Sequence, residues 1–167
     1  MDKISQGILK ELLPAEKEVA PLPSASKVRK EGAVDHWTSA VLLERAAYLR
    51  KLAQHGDGTA SETLKEYSGH YATLCFRNRD GVAESHGSFA DIFIILDGCA
   101  TLVTGGKLVN AKSVAPGEMR GDAIEGGTRK ELRAGDVVHI PAGVPHQMLA
   151  IGEKTISNIV VKIQQDQ

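Results

Sequence analysis

The sequence predicts a mostly β domain carried behind an N-terminal arm and a single helix. Three observations lead there. Short runs rich in β-branched and other apolar residues, broken by Gly, Pro, Asn and Asp, follow one another over residues 67–163. One earlier stretch, 35–55, instead repeats its apolar residues at helical spacing. Ahead of it, Pro14, Pro21 and Pro23 prevent a long regular element, because each fixes φ and removes a backbone donor. The 167 residues suffice for one core and are too few for two. The expected division is an extended arm over 1–33, a helical extension over 34–66, and the β domain over 67–167.

Within the arm, Ile4, Ile8, Leu9, Leu12 and Leu13 form a small amphipathic face, which needs a surface to lie on. The expected surface is the outside of its own domain or of a second subunit, with disorder of the first few residues as the alternative. In the helix, Trp37, Val41, Leu42, Leu49 and Leu52 share a face with Tyr48, while Glu44, Arg45, Arg50 and Lys51 take the others. Asp35 is placed to cap its start and Gly56-Asp57-Gly58 to end it. His36 and His55 read as solvated or capping residues. Residues 59–65 read as one more helical turn.

Strands are expected at 70–76, 92–96 and 99–104, with the polar run Arg77-Asn78-Arg79-Asp80-Gly81 as a turn. Gly105-Gly106 reads as a hairpin turn from which 107–109 returns. Residues 110–127 read as a long polar loop, lying over the domain's mouth or on its surface. A closing hairpin is expected from 148–151 and 155–163 about Gly152-Glu153. His70 can face inward or outward, and His139, alternating with Val138 and Ile140, reads as outward. Cys75 and Cys99 make no C-x-x-C pair and sit among apolar residues, so both read as buried free thiols.

Acids and bases nearly balance, with a formal net charge of −1, and no basic stretch is interleaved with aromatics. Neither nucleic acid nor a polyanionic surface is an expected partner. No apolar run approaches the roughly 20 residues a bilayer-spanning helix needs, and no charged-then-apolar leader is visible. The expectation is a soluble chain, cytoplasmic, or secreted or periplasmic if a signal peptide has been removed. There is no phosphate-binding glycine loop and no Ser-His-Asp order.

The most informative stretch is G-D-V-V-H-I-P-A-G-V-P-H, from Gly135 to His146. A turn at Gly135-Asp136, a short β run and a second sharp turn at Pro141-Ala142-Gly143 deliver His146 beside a rigid corner. Here the sequence resembles the cupins. Gly135, Pro141, Gly143 and His146 match their second motif, and Ala150 stands where that motif ends in asparagine. Over 82–91 the first motif is matched in spacing with altered chemistry: Glu84 stands for its first histidine, His86 for its second, Asp91 for its glutamate and Gly98 for its closing glycine. Asn78 replaces the opening glycine.

The resemblance covers about 67–163 and implies a double-stranded β-helix, or jelly-roll, barrel with the helical extension packed on it. Residues two apart on a strand share a face, so Glu84 and His86 can both enter the barrel, where Asp91 and His146 would join them. Two imidazoles and two carboxylates suit one divalent transition metal (Mn, Fe, Zn or Ni), and the resemblance makes these four residues its expected ligands. The implied activity is that of a small metal-dependent oxygenase, isomerase, lyase or decarboxylase acting on a small oxygenated molecule. Glu84 would be its base when it leaves the metal. The alternative is a barrel that binds a sugar or organic acid without turnover. Similar cupins pair through their outer sheets, so a homodimer is expected.

Overall fold

In the computed structural model, which describes residues 34–165, the chain enters helix α1 (Ser39–Gln54) through Thr38. The arm expected over 1–33 lies outside the described residues. Thr38 is extended and its hydroxyl accepts from the Val41 N–H at 3.3 Å, satisfying an otherwise orphaned donor. Asp35, expected to cap the helix, instead accepts from the Tyr67 hydroxyl at 3.0 Å. Leu42, Ala46, Leu49 and Ala53 recur at steps of three and four and are buried. Their apolar stripe packs on Leu64, Ala72, Leu74 and Phe76. Arg45, buried on the same face, is paired with Glu62.

The helical turn expected at 59–65 is a strand, β1 (Thr59–Glu66), paired antiparallel with β2 (His70–Arg77) from Thr59↔Arg77 to Glu66↔Tyr71. Local propensity gives way to the ladder, because only the extended form places Leu64 beneath α1 while Glu62 reaches Arg45. Beyond β2 come β3 (Ala83–His86) and β4 (Phe89–Thr104). The two strands expected at 92–96 and 99–104 are this one long strand. It bends where the ladder to the last strand shifts register beside Gly98, whose φ is 78°. A Cβ at Gly98 would collide with the Thr155 carbonyl oxygen, so glycine is required there.

Residues 107–109 form β5 (Lys107–Val109), but they do not return along β4. The segment pairs with β8 (Ala123–Glu125) in a separate two-stranded ribbon, because Gly105 and Gly106 both take positive φ and lead the chain away. The expected loop at 110–127 is likewise corrected. It holds β6 (Lys112–Ala115), β7 (Glu118–Gly121) and β8, with Pro116-Gly117 turning between β6 and β7. Its polarity concealed the strands: β6 is exposed throughout, and β7 earns its place by pairing with β3.

Next come β9 (Thr128–Arg133), β10 (Val137–Ile140), β11 (His146–Leu149) and β12 (Ile156–Gln164). The last two do not form the expected closing hairpin. β11 pairs with β3 and β4, β12 with β2 and β4, so the turn at Gly152 carries the chain from one sheet to the other. Residues Phe89–Gly98 of β4 lie against β12, and β10 flanks Asp91–Ile94; residues Cys99–Thr104 pair with β9, and Thr101–Thr104 also with β11. One sheet therefore runs β1-β2-β12-β4-β10 and the other β9-β4-β11-β3-β7-β6, with β4 common to both. This is an all-β jelly-roll barrel.

Phe93, Ile95, Leu102, Leu132, Met148 and Ile156 fill one part of its interior. A second cluster lies on the outer face of the first sheet, under α1. Cys75 and Cys99 are free thiols, and burial pushes the Cys75 thiol up to about 11. Among the described residues no helix is long and apolar enough to cross a membrane.

Candidate metal centre

The interior between the sheets is polar where β3, β4 and β11 converge. Glu84 and His86, two apart on β3, face the same way. His146 opens β11 directly opposite Glu84, and Asp91 comes from the start of β4. The turn that the second motif encodes is present: Val144 N–H donates to the Pro141 carbonyl at 3.3 Å. Gly143 N–H donates to the His86 carbonyl at 2.8 Å, tying the corner that presents one histidine to the strand that carries the other.

Each imidazole is oriented through the nitrogen that faces away from the cluster. His86 Nδ1 lies 2.6 Å from Glu118 Oε2, and His146 Nδ1 lies 3.0 Å from the Val144 carbonyl oxygen. With a proton on each Nδ1, an ion that displaces any proton from Nε2 would meet two inward-pointing lone pairs. His146 Nε2 is 3.3 Å from Asp91 Oδ2 and 3.4 Å from Glu84 Oε1. His86 Nε2 is 3.6 Å from each of the same two oxygens. One donor atom from each of the four side chains lies within 4.8 Å of all the others. Both Nε2 atoms are buried without a hydrogen-bond partner. Orphaned buried polar atoms are rare, and two aimed at one point with two carboxylate oxygens fit a cation among them.

The carboxylates are held as anions. Burial would raise Glu84, but His146, His86 and the Arg120 guanidinium outweigh it and keep its carboxyl far below the usual range. Arg120 Nη1 is 2.8 Å from Glu84 Oε2, leaving Oε1 for the cluster. Asp91 is also lowered against the opposing effect of burial, by His146 and by Lys162, whose ammonium donates to both its oxygens at 2.8 and 2.9 Å. Burial disfavours a charged His146, yet Asp91 and Glu84 raise it to about 9.

All four residues singled out in the sequence meet here. Glu118, Arg120 and Lys162 were missed. The first two lay in a stretch read as loop, although E-M-R places them two apart as a strand face requires. Lys162 sits opposite Asp91 in the β12–β4 ladder. His70 is exposed and stacks on Tyr67 with ring centroids 4.4 Å apart, away from the cluster. His36, His55 and His139 are exposed. Ala150, in place of the motif's asparagine, donates its N–H to Asp80 Oδ1 at 2.7 Å.

A cavity of about 240 Å³ opens beside the cluster. Tyr71, Thr73, Cys75 and Arg77 line it from alternate positions of β2, whose other face lies under α1.

A jelly-roll barrel that gathers histidines and carboxylates from its two motifs inside one end defines the class: the chain has the cupin fold. No family model and no curated protein matches the sequence. Among solved structures, a Bacillus halodurans protein aligns at a TM-score of 0.50 and 14% identity, over 71% of this chain and 79% of that one. A Cupin 2 conserved barrel domain protein from Salinispora arenicola gives 0.46 at 18% identity, over 65% of this chain and 78% of that one. DMSP lyase DddQ from Ruegeria pomeroyi gives 0.47 at 18% identity, over 65% of this chain and 48% of the lyase. The chain thus spans about half the length of that lyase. At such identities the likeness concerns the fold.

Proposed function

We propose that the chain binds one divalent first-row metal ion through Glu84, His86, Asp91 and His146 and acts with it on a small oxygenated organic molecule held in the adjoining cavity. The observation that carries this reading is the pair of buried Nε2 atoms, neither in a formed hydrogen bond, that converge with one oxygen each of Glu84 and Asp91. Two neutral imidazoles and two carboxylates balance a divalent charge, and Mn, Fe, Zn and Ni all accept such a set. Bound there, the ion would supply Lewis acidity toward an oxygen of the ligand.

The chain's own groups have separable tasks. Glu118 and the Val144 carbonyl hold the imidazoles in the ligating tautomer. Lys162 and Arg120 keep the two carboxylates ionised. Glu84 is thereby suited to hold a cation and is weak as a base, since its depressed pKa leaves little drive to take a proton. The barrel walls keep bulk water from the cluster, in which three of the four side chains are buried.

Metal analysis of protein purified without added metal tests the first half of the reading, with stoichiometric metal expected and its loss in Glu84→Ala and His146→Ala. Screening the loaded protein against small acids, sugars and phenols tests the second. Stoichiometric metal with no turnover of any of them would leave a ligand-binding barrel. We also propose a homodimer that covers the exposed Leu43 and Leu52 of α1.

A further inference from the structure

The far end of the cavity has chemistry of its own. By register, Asp91, Lys162 and Tyr71 share one row across the first sheet and Asn158 and Cys75 another, four residues further along β12. Arg77 lies beyond them, opposite Ile156. Both Arg77 and Asn158 line the cavity. Asn158 is 3% exposed, and its Nδ2 is a buried donor with no acceptor. Arg77 pairs with no carboxylate among the described residues, in contrast to Lys162, which has Asp91, and Arg120, which has Glu84 and Glu118. Gly81 leaves the space that the guanidinium occupies, since a Cβ there would collide with Arg77 Nη1. Between this end and the cluster, Val82, Phe93, Met148 and Val160 give the wall an apolar part, beside Tyr71 and Thr73.

An unmatched cation and an unmatched donor at the end of the cavity away from the cluster call for an anionic acceptor that the protein does not supply. We propose that Arg77 and Asn158 form a carboxylate subsite, so that the molecule taken by the cavity is a small carboxylic acid whose other end faces the Glu84, His86 and His146 cluster. This rests on the metal reading only for what lies at that other end. A planar carboxylate matches the guanidinium fork, whereas a phosphate dianion would need more donors than these two. The cavity's size restricts the acid to a few carbons or a single ring. Charge agrees: Glu84, Asp91 and Glu118 are offset by Lys162, Arg120 and Arg77, so a divalent ion would leave the cavity positive.

Calorimetry on the full, zinc-loaded chain tests this with acetate, succinate, glutarate and benzoate, and with glutaramide as a neutral counterpart. At least one acid is expected to bind, and glutarate to bind about tenfold or more tightly than glutaramide. Arg77→Met and the isosteric Asn158→Asp should each weaken the acid about tenfold or more while metal content is unchanged, and Arg77→Lys should restore part of the loss. Glutaramide binding as well as glutarate, no acid binding, or full affinity in Arg77→Met would overturn the subsite. The wild-type comparison stands even if a variant fails to fold. Metal content of the same samples separates the two readings: protein that holds no zinc yet binds acids through Arg77 sinks the metal centre alone, and loaded protein indifferent to carboxylates sinks the subsite alone.

Discussion

His86 and His146 show how much of a ligand's work is done on its far side. Glu118, 2.6 Å behind His86, sets which nitrogen carries the proton, so Glu118→Gln should lower metal affinity about 10- to 100-fold without unfolding the protein. Competition with a chromophoric chelator measures it, and an unchanged affinity would make the contact incidental. The same cluster predicts opposite slopes of metal-free stability with pH. His146 is raised from 6.5 to about 9, so its contribution is complete below pH 6.5 and is lost as pH rises through 9. Glu84 and Asp91 are depressed, so theirs is present above their ordinary values and is lost as pH falls. Melting of chelator-treated protein should therefore be highest between about pH 5 and 6.5 and decline toward 9, and bound metal, by replacing the proton, should remove the alkaline decline. A flat metal-free profile from about pH 6 to 9.5 would refute the charged imidazole. The four cluster residues could be read from the sequence because motif spacing marks them. Glu118, Arg120 and Lys162 could not, because each acquires its role from the partner that a distant ladder sets opposite it.

At the level of elements, helix α1 and the strands that bear the motifs follow from local pattern. β1 and the strands within 110–127 do not. β1 has residues that suit a helix and becomes a strand only through β2, and β6 buries neither face, so no alternation could announce it. The hairpins expected at Gly105-Gly106 and Gly152-Glu153 failed for a related reason: a turn signal says that the chain reverses, and not which strand receives it. Gly98 is where an element depends on a single residue. Gly98→Ala would force a side chain into positive φ and against the Thr155 carbonyl, and should cost about 2–4 kcal/mol, read by thermal or urea melting. A melting point within a degree or so of wild type would show that the 155 turn yields instead. Leu49→Ala, beneath the helix, should cost about 2–5 kcal/mol by the same measurement and leave metal content intact, since its cluster is separate from the one beside the ligands.

For the whole molecule, the fold class was legible because the β pattern spans most of the chain, while the way strands are shared between sheets was not. Light scattering at micromolar concentration should report a dimer, and Leu43→Glu with Leu52→Glu should give monomers. A monomeric wild-type protein would remove that proposal. The strand common to both sheets has one more consequence. Because the first part of β4 is stitched into one wall and its second part into the other, the walls cannot swing apart as the covers of a book do without tearing its ladders. Traffic to the interior must use the rim, and the amide protons of β4 should exchange with deuterium only when the entire domain melts, which makes them its slowest clock.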